Sequence, residues 1–188
     1  MIRIGIVGAI GSGKSYVARQ FGYPVFNADY EVGKIYKENK KCFKRLKKIL
    51  PKYIFSFPVR INELSKAIIE NKNNIKKINK VIHPEVRLRM KNFLKKNKKK
   101  NFVILDIPLL LEGKINKKKD ILIFVDADEK KIRKKLKKRP NFNIKIFTIL
   151  KKLQLPLKIK KKKSNFIIKN NFKSNYVKKN VNNILKNF

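Results

Sequence analysis

One stretch, Gly8-Ala9-Ile10-Gly11-Ser12-Gly13-Lys14-Ser15, restricts the fold of this chain more than any other, because it fits the spacing G-x-x-x-x-G-K-[ST] in full. The apolar run Ile2 to Val7 precedes it, and a helical pattern through Val17, Ala18 and Phe21 follows. Strand, glycine loop and helix in that order make a phosphate cradle. The glycines let backbone N–H groups converge on phosphate oxygens, and the helix N-terminus adds its positive end. Lys14 is placed to bridge β- and γ-phosphates, and the Ser15 hydroxyl to ligate Mg²⁺. The loop does not say what accepts the phosphate, since GTPases, ATP-driven machines and small-molecule kinases all carry it.

The rest of the chain alternates strand and helix at both ends, around a helical insert. A short strand, Val25 to Ala28, leads to Asp29 and a helical stretch with Val32, Ile35 and Tyr36. From about Cys42 to Lys98 the apolar spacing is helical, with Pro84 expected in the first turn of the last helix there. Asn101 to Leu105 and Ile121 to Val125 are continuous apolar runs of the kind found in buried parallel strands, ending at Asp106 and Asp126. Helical patterns at Ile132/Leu136 and Phe147/Leu150 come next, then a last strand at Phe166 to Ile168 and a helix through Val177, Val181 and Ile184. Lysine clusters at 95–100, 117–119 and 160–163 read as loops or exposed helix ends.

Acidic residues are scarce, so their positions carry information. Asp29 closes the second strand, which in a parallel sheet puts it at the carboxyl edge where ligands collect; there it can accept a hydroxyl proton or cap a helix. Asp106 ends an apolar strand, as does the acidic residue that steadies Mg²⁺ in many phosphate-loop enzymes. Asp126 reads as a cap or turn residue. The lone histidine, His83, precedes Pro84 between two helical patterns, with Arg87 and Arg89 one turn on. Arg139 is the last arginine in a stretch that has no acidic residue from Lys130 to Phe188, and a guanidinium there suits a basic lid over a phosphoryl group.

The charge is extreme: 51 Lys plus Arg face 12 Asp plus Glu in 188 residues, a formal net charge of +39. Nucleic acid, an acidic membrane or a polyanionic small substrate would each gain from such a field. Lysine, isoleucine and asparagine number 43, 26 and 21, and all three have A/T-rich codons. Base composition therefore accounts for the excess without a nucleic-acid role, and plain lysine runs lack the arginines and interleaved aromatics of specific binders. One cysteine, Cys42, excludes an intrachain disulfide and fits a reducing cytoplasm. The apolar start reads as a buried strand rather than a signal peptide, and no apolar run is long enough to span a membrane.

Taken together, the phosphate loop, Asn27-Ala28-Asp29, Ile82-His83-Pro84-Glu85-Val86-Arg87 and Asp106-Ile107-Pro108-Leu109-Leu110-Leu111-Glu112 resemble the dephospho-CoA kinase family in order and spacing. The resemblance extends through Arg139, Gln154 and Asn170-Asn171. It implies an α/β, three-layer phosphate-loop NTPase fold: a parallel sheet in a single domain over 1–188, with a helical substrate lobe at about 30–100 and a lid at about 135–163. It also implies transfer of the γ-phosphate of ATP to the 3′-hydroxyl of dephospho-CoA, with ATP and Mg²⁺ required, by a cytoplasmic monomer with no specific nucleic-acid or membrane partner. Gly11, Ser12, Gly13, Lys14, Ser15 and Tyr16 then match the ATP-phosphate loop, Asp29 the general base, His83 and Arg87 the substrate lobe, and Arg139 a lid arginine. Ser15 and Asp106 are the expected Mg²⁺ ligands.

Four positions depart from the family pattern. Tyr16 stands where Thr is usual, Gly33-Lys34 where an Arg is expected, Lys135 in place of Arg, and Asn165 in place of a frequent Asp. Two other functions fit parts of the pattern. A nucleoside-monophosphate kinase shares loop, insert and lid but needs no base beside its acceptor, and a basic nucleic-acid-binding ATPase would explain the charge.

Overall fold

The structure is a computed structural model that describes residues 1–139 and 142–188. Residues 140 and 141, which fall within the expected lid, lie outside the described residues. The strands are β1 (Ile2–Gly8), β2 (Val25–Asn27), β3 (Phe102–Asp106), β4 (Ile121–Asp126) and β5 (Phe166–Lys169). They form one sheet in the order β2-β3-β1-β4-β5, and every pairing is parallel. Covered on both faces, a central strand has no solvent side to alternate toward, which is why β1, β3 and β4 are continuous apolar runs.

The helices are α1 (Lys14–Gln20), α2 (Ala28–Glu38), α3 (Lys40–Ile49), α4 (Ile61–Glu70) and α5 (Asn74–Lys96), then α6 (Glu129–Lys137), α7 (Ile144–Lys152), α8 (Leu157–Lys162) and α9 (Ser174–Leu185). The chain divides into two compact units: Met1–Asn27, Lys96–Phe142 and Lys151–Phe188 form the first, and Ala28–Lys95 with Asn143–Leu150 the second. In the first unit, Ile4, Ile6, Ile104, Ile123, Val125 and Ile168 of the sheet pack against Val17, Ala18 and Phe21 of α1 and Val177, Val181 and Ile184 of α9. On the opposite face α8 packs on β1. There Gly5 leaves room for the methyl ends of Leu110 and Leu122, which would have to shift to admit a Cβ.

The second unit is helical, with its own core of Ile35, Cys42, Leu46, Leu50, Ile54, Leu64, Ala67, Ile78, Val81 and Ile82. Asn39 caps α3 by accepting from the Cys42 N–H at 2.9 Å, and the Asn74 amide donates to the Ala67 carbonyl at 2.9 Å, joining α5 to α4.

Three local expectations change. Pro84 is not in a first turn but inside α5, which runs unbroken for 23 residues. The ring is exposed and the Lys80 carbonyl that it leaves without a donor belongs to an exposed residue, so water can serve it. The buried stripe Ile75, Ile78, Val81 and Ile82 holds the helix on its other side. The second strand ends one residue earlier than expected, so Asp29 falls in the first turn of α2 rather than at a strand end. The cluster at 160–163 is not uniformly exposed: Lys160 is 1% exposed, on the inner side of α8.

Candidate active site

The loop between β1 and α1 is shaped by residues that only glycine satisfies. Gly13 has φ +89°, and a Cβ there would sit 2.3 Å from the Asn170 amide nitrogen, so both backbone and space exclude a side chain. Helix α1 begins at the next residue, Lys14, and its first amides have no partner within the helix. Lys14 is 8% exposed, and its ammonium donates to the carbonyls of Ala9 at 2.7 Å and Gly8 at 3.3 Å. The loop's own carbonyls thus hold the lysine over the cradle, where a phosphate can compete for it.

Sheet register brings a second group to the same edge. Asp106 at the end of β3 pairs with Ile6 of β1 on one side and Asn27 of β2 on the other. The Asn27 amide donates to the Asp106 carboxylate at 2.6 Å and lies 3.5 Å from the Ser15 hydroxyl. Ser15 and Asp106, foreseen from the sequence as partners, therefore meet through Asn27, a residue foreseen only as part of a motif. The sequence carries no signal for this role, which comes from the register that pairs Asn27 of β2 with Asp106 of β3. A 3% exposed carboxylate and a hydroxyl that share one amide neighbour are hard oxygens of the kind magnesium takes, with water and substrate phosphates completing the shell. Among the described residues no cluster of three or more His, Cys, Asp or Glu offers a denser metal site.

The remaining foreseen residues lie as follows. Asp29 is exposed in the first turn of α2, two residues beyond Asn27. His83 and Arg87 are exposed one turn apart on α5. Desolvation, and then the Arg87 charge, holds the His83 imidazole below its usual pKa. Arg89 donates to Glu31 of α2 at 3.0 Å and to Glu85 at 3.4 Å. That pair ties the helix that carries Asp29 to the helix that carries His83 and Arg87. Arg139 is exposed just past α6, its N–H donating to the Leu136 carbonyl at 3.0 Å.

Tyr16, Lys34, Lys135 and Asn165 each have a local account, and nothing in the structure explains Gly33. The Tyr16 ring packs on the core of the first unit. Lys34 sits 4.8 Å from the centre of the Tyr30 ring, and Lys135 sits 4.2 Å from that of Phe172. Asn165 accepts from the Leu122 N–H at 2.8 Å and returns its own N–H to the Leu122 carbonyl at 2.8 Å, so an amide oxygen does there what a carboxylate would.

A parallel sheet with a glycine loop, buried lysine and an Asn–Asp–Ser cluster at its carboxyl edge defines an α/β phosphate-loop NTPase fold. The sequence model of the dephospho-CoA kinase family matches residues 2–175, and the chain belongs to that family. It is 32% identical over 187 residues to a dephospho-CoA kinase of Wolbachia pipientis wMel, covering 97% of this chain and 95% of the relative. A crystal structure from Thermus thermophilus superposes with a TM-score of 0.80 at 25% identity, over 99% of this chain and 96% of the other. Dephospho-CoA kinase from Campylobacter jejuni shares the fold, with a TM-score of 0.64 at 19% identity over 98% and 96%. The chain is accordingly a kinase of coenzyme A biosynthesis.

Proposed function

We propose that the protein transfers the γ-phosphate of ATP to the 3′-hydroxyl of dephospho-CoA, giving ADP and coenzyme A. The observation that carries the chemistry is the Ser15–Asn27–Asp106 cluster beside Lys14, at the carboxyl edge of the sheet. Family membership supplies the acceptor. Gly11 to Tyr16 wrap the ATP phosphates with backbone N–H groups, and Lys14 exchanges its carbonyl partners for β- and γ-phosphate oxygens. Asp29 accepts the proton from the attacking hydroxyl. His83 and Arg87 hold the acceptor, the imidazole neutral at pH 7 because its pKa is lowered. Arg139 meets the charge that spreads over the transferring group. Ser15 and Asp106 are the residues that would hold Mg²⁺, which when bound supplies neutralisation of the phosphate charge.

The expected substrate lobe at about 30–100 corresponds in this reading to the helical unit, which also takes in Asn143–Leu150 from the stretch expected as the lid. A monomer working in the cytoplasm completes the proposal, and a single buried free cysteine fits a reducing compartment. The test is to incubate the protein with MgATP and dephospho-CoA, or with AMP, CMP or GMP, and follow ADP and product mass. ADP forming only with dephospho-CoA, beside a product heavier by one phosphate, supports the reading. Turnover of a nucleotide instead moves the chain to a nucleotide kinase. Within the same assay Asp29→Asn should lower kcat by orders of magnitude while ATP affinity stays nearly constant, and equal loss of both overturns the role given to Asp29.

A further inference from the structure

We infer that Asn170 is a positioning residue for the nucleotide-phosphate loop: it fixes the Ser12–Gly13 peptide so that the Gly13 N–H is presented to a phosphate. This rests on the reading of Gly11 to Tyr16 as the ATP-phosphate loop. Asn170 lies just beyond β5 and is 3% exposed. Its amide nitrogen donates to the Ser12 carbonyl at 2.8 Å, across 158 residues of chain. Its amide oxygen accepts from the Phe172 N–H at 2.9 Å, which settles the orientation of the side chain: the nitrogen, not the oxygen, faces Ser12. Its backbone N–H donates to the Asp126 carbonyl at the end of β4. The side chain is thus anchored at both ends and cannot follow the loop.

A trans peptide is planar, with its C=O and N–H directed oppositely. A Ser12 carbonyl held by Asn170 therefore turns the Gly13 N–H away from Asn170, toward the side on which a phosphate is received. Without that hold the peptide can rotate, because Gly13 tolerates both signs of φ. The freedom glycine needs in order to approach Asn170 is the same freedom that Asn170 removes. A Cβ on Gly13 would strike the Asn170 amide at 2.3 Å and approach the Phe172 ring at 3.6 Å, so the close fit of the two residues is mutual. Phosphate contacts through preset N–H groups avoid the cost of ordering on binding, which is the reason a residue outside the loop can govern its affinity.

The experiment compares Asn170→Asp, Asn170→Ala, Asn171→Asp and Lys14→Ala in the full chain, by calorimetric titration with ATP and ADP and by steady-state kinetics with both substrates. Asn170→Asp keeps size but turns an acceptor toward the Ser12 carbonyl. It should weaken ATP and ADP binding about tenfold or more while KM for dephospho-CoA stays within about twofold. Asn170→Ala, which adds no charge, should fall on the same side, separating lost positioning from repulsion of phosphate. Asn171→Asp, with the same charge one residue on and its side chain bonded to the Lys173 N–H, should leave nucleotide affinity within about twofold. If Lys14→Ala abolishes ATP binding and both Asn170 variants keep it, Asn170 does not position the loop. If both substrates weaken alike in the Asn170 variants, its role is structural and the inference is overturned. If Lys14→Ala keeps full ATP affinity, the reading of the loop itself is wrong, and the inference falls with it.

Discussion

At the scale of single residues, His83 shows how a neighbour sets chemistry that the residue type leaves open. An imidazole with a pKa near 6.5 is divided between two charge states at neutral pH, but desolvation and the Arg87 guanidinium both penalise the charged form. The folded value is lowered, so the unfolded chain takes up the proton first. Stability from this site is then complete above the unfolded value near 6.5 and is lost as pH falls from there through the lower folded value. As the only histidine in the chain, its imidazole can be followed by proton–carbon NMR without assignment. The expected midpoint lies below 6.5 and moves upward in Arg87→Ala; a midpoint above 6.5 in the unaltered protein contradicts the environment described here. The sequence put His83 at a junction between two helical patterns with Arg87 one turn on, and it is the unbroken α5 that carries both on one helix. The sequence did not show Asn27 or Asn170 as site residues, because an asparagine has no diagnostic spacing and acts here through strand register and a contact between distant segments.

At the scale of elements, α8 carries a buried ion pair that its sequence conceals. Lys160 donates to the Glu112 carboxylate at 2.8 Å, with side chains 1% and 12% exposed, and the same carboxylate oxygen accepts from the Leu155 N–H at 2.8 Å. A run of four lysines, three on the helix and the fourth its C-cap, has to direct one inward if that helix packs on a sheet, and α8 packs on β1. Which one depends on where the helix begins, and Pro156 sets that at Leu157. The run alone therefore reads as surface, whereas β3 and β4, apolar runs ended by Asp106 and Asp126, were readable almost to the residue. Removing one member of a buried pair leaves an uncompensated charge, costing about 3–5 kcal/mol. Lys160→Met should lower the urea midpoint accordingly, and Lys160→Met with Glu112→Leu should recover much of the loss, since two apolar groups need no counterion. Equal stability of Lys160→Met and the unaltered protein would contradict the pair. The unbroken α5 is the opposite case: local sequence argued for a break at Pro84, and packing of the buried stripe prevailed.

At the scale of the whole molecule, the charge that tells least about function tells most about behaviour in solution. With +39 on 188 residues, carboxylates are too few to pair the lysines, and like charges repel more in the compact state than in the expanded one. Salt screens that repulsion, the Debye length being about 10 Å at 0.1 M, while the apolar cores that hold each unit together do not depend on it. Buried pairs such as Arg3–Asp120, at 2.8 Å with side chains 10% and 3% exposed, are screened far less than surface repulsion. The thermal midpoint should therefore rise with sodium chloride between roughly 0.01 and 0.3 M, by several degrees, and level off as the surface is screened. Guanidinium is excluded as a denaturant in this test, since it is itself a screening salt, and heating at fixed pH gives the cleaner reading. A midpoint that falls with salt would mean that attractive surface pairs outweigh repulsion, and the lysine excess would then require a structural role. A rising midpoint makes it a burden the fold carries, consistent with a composition set by codon usage, and any association with nucleic acid that disappears over the same salt range belongs to the same surface field.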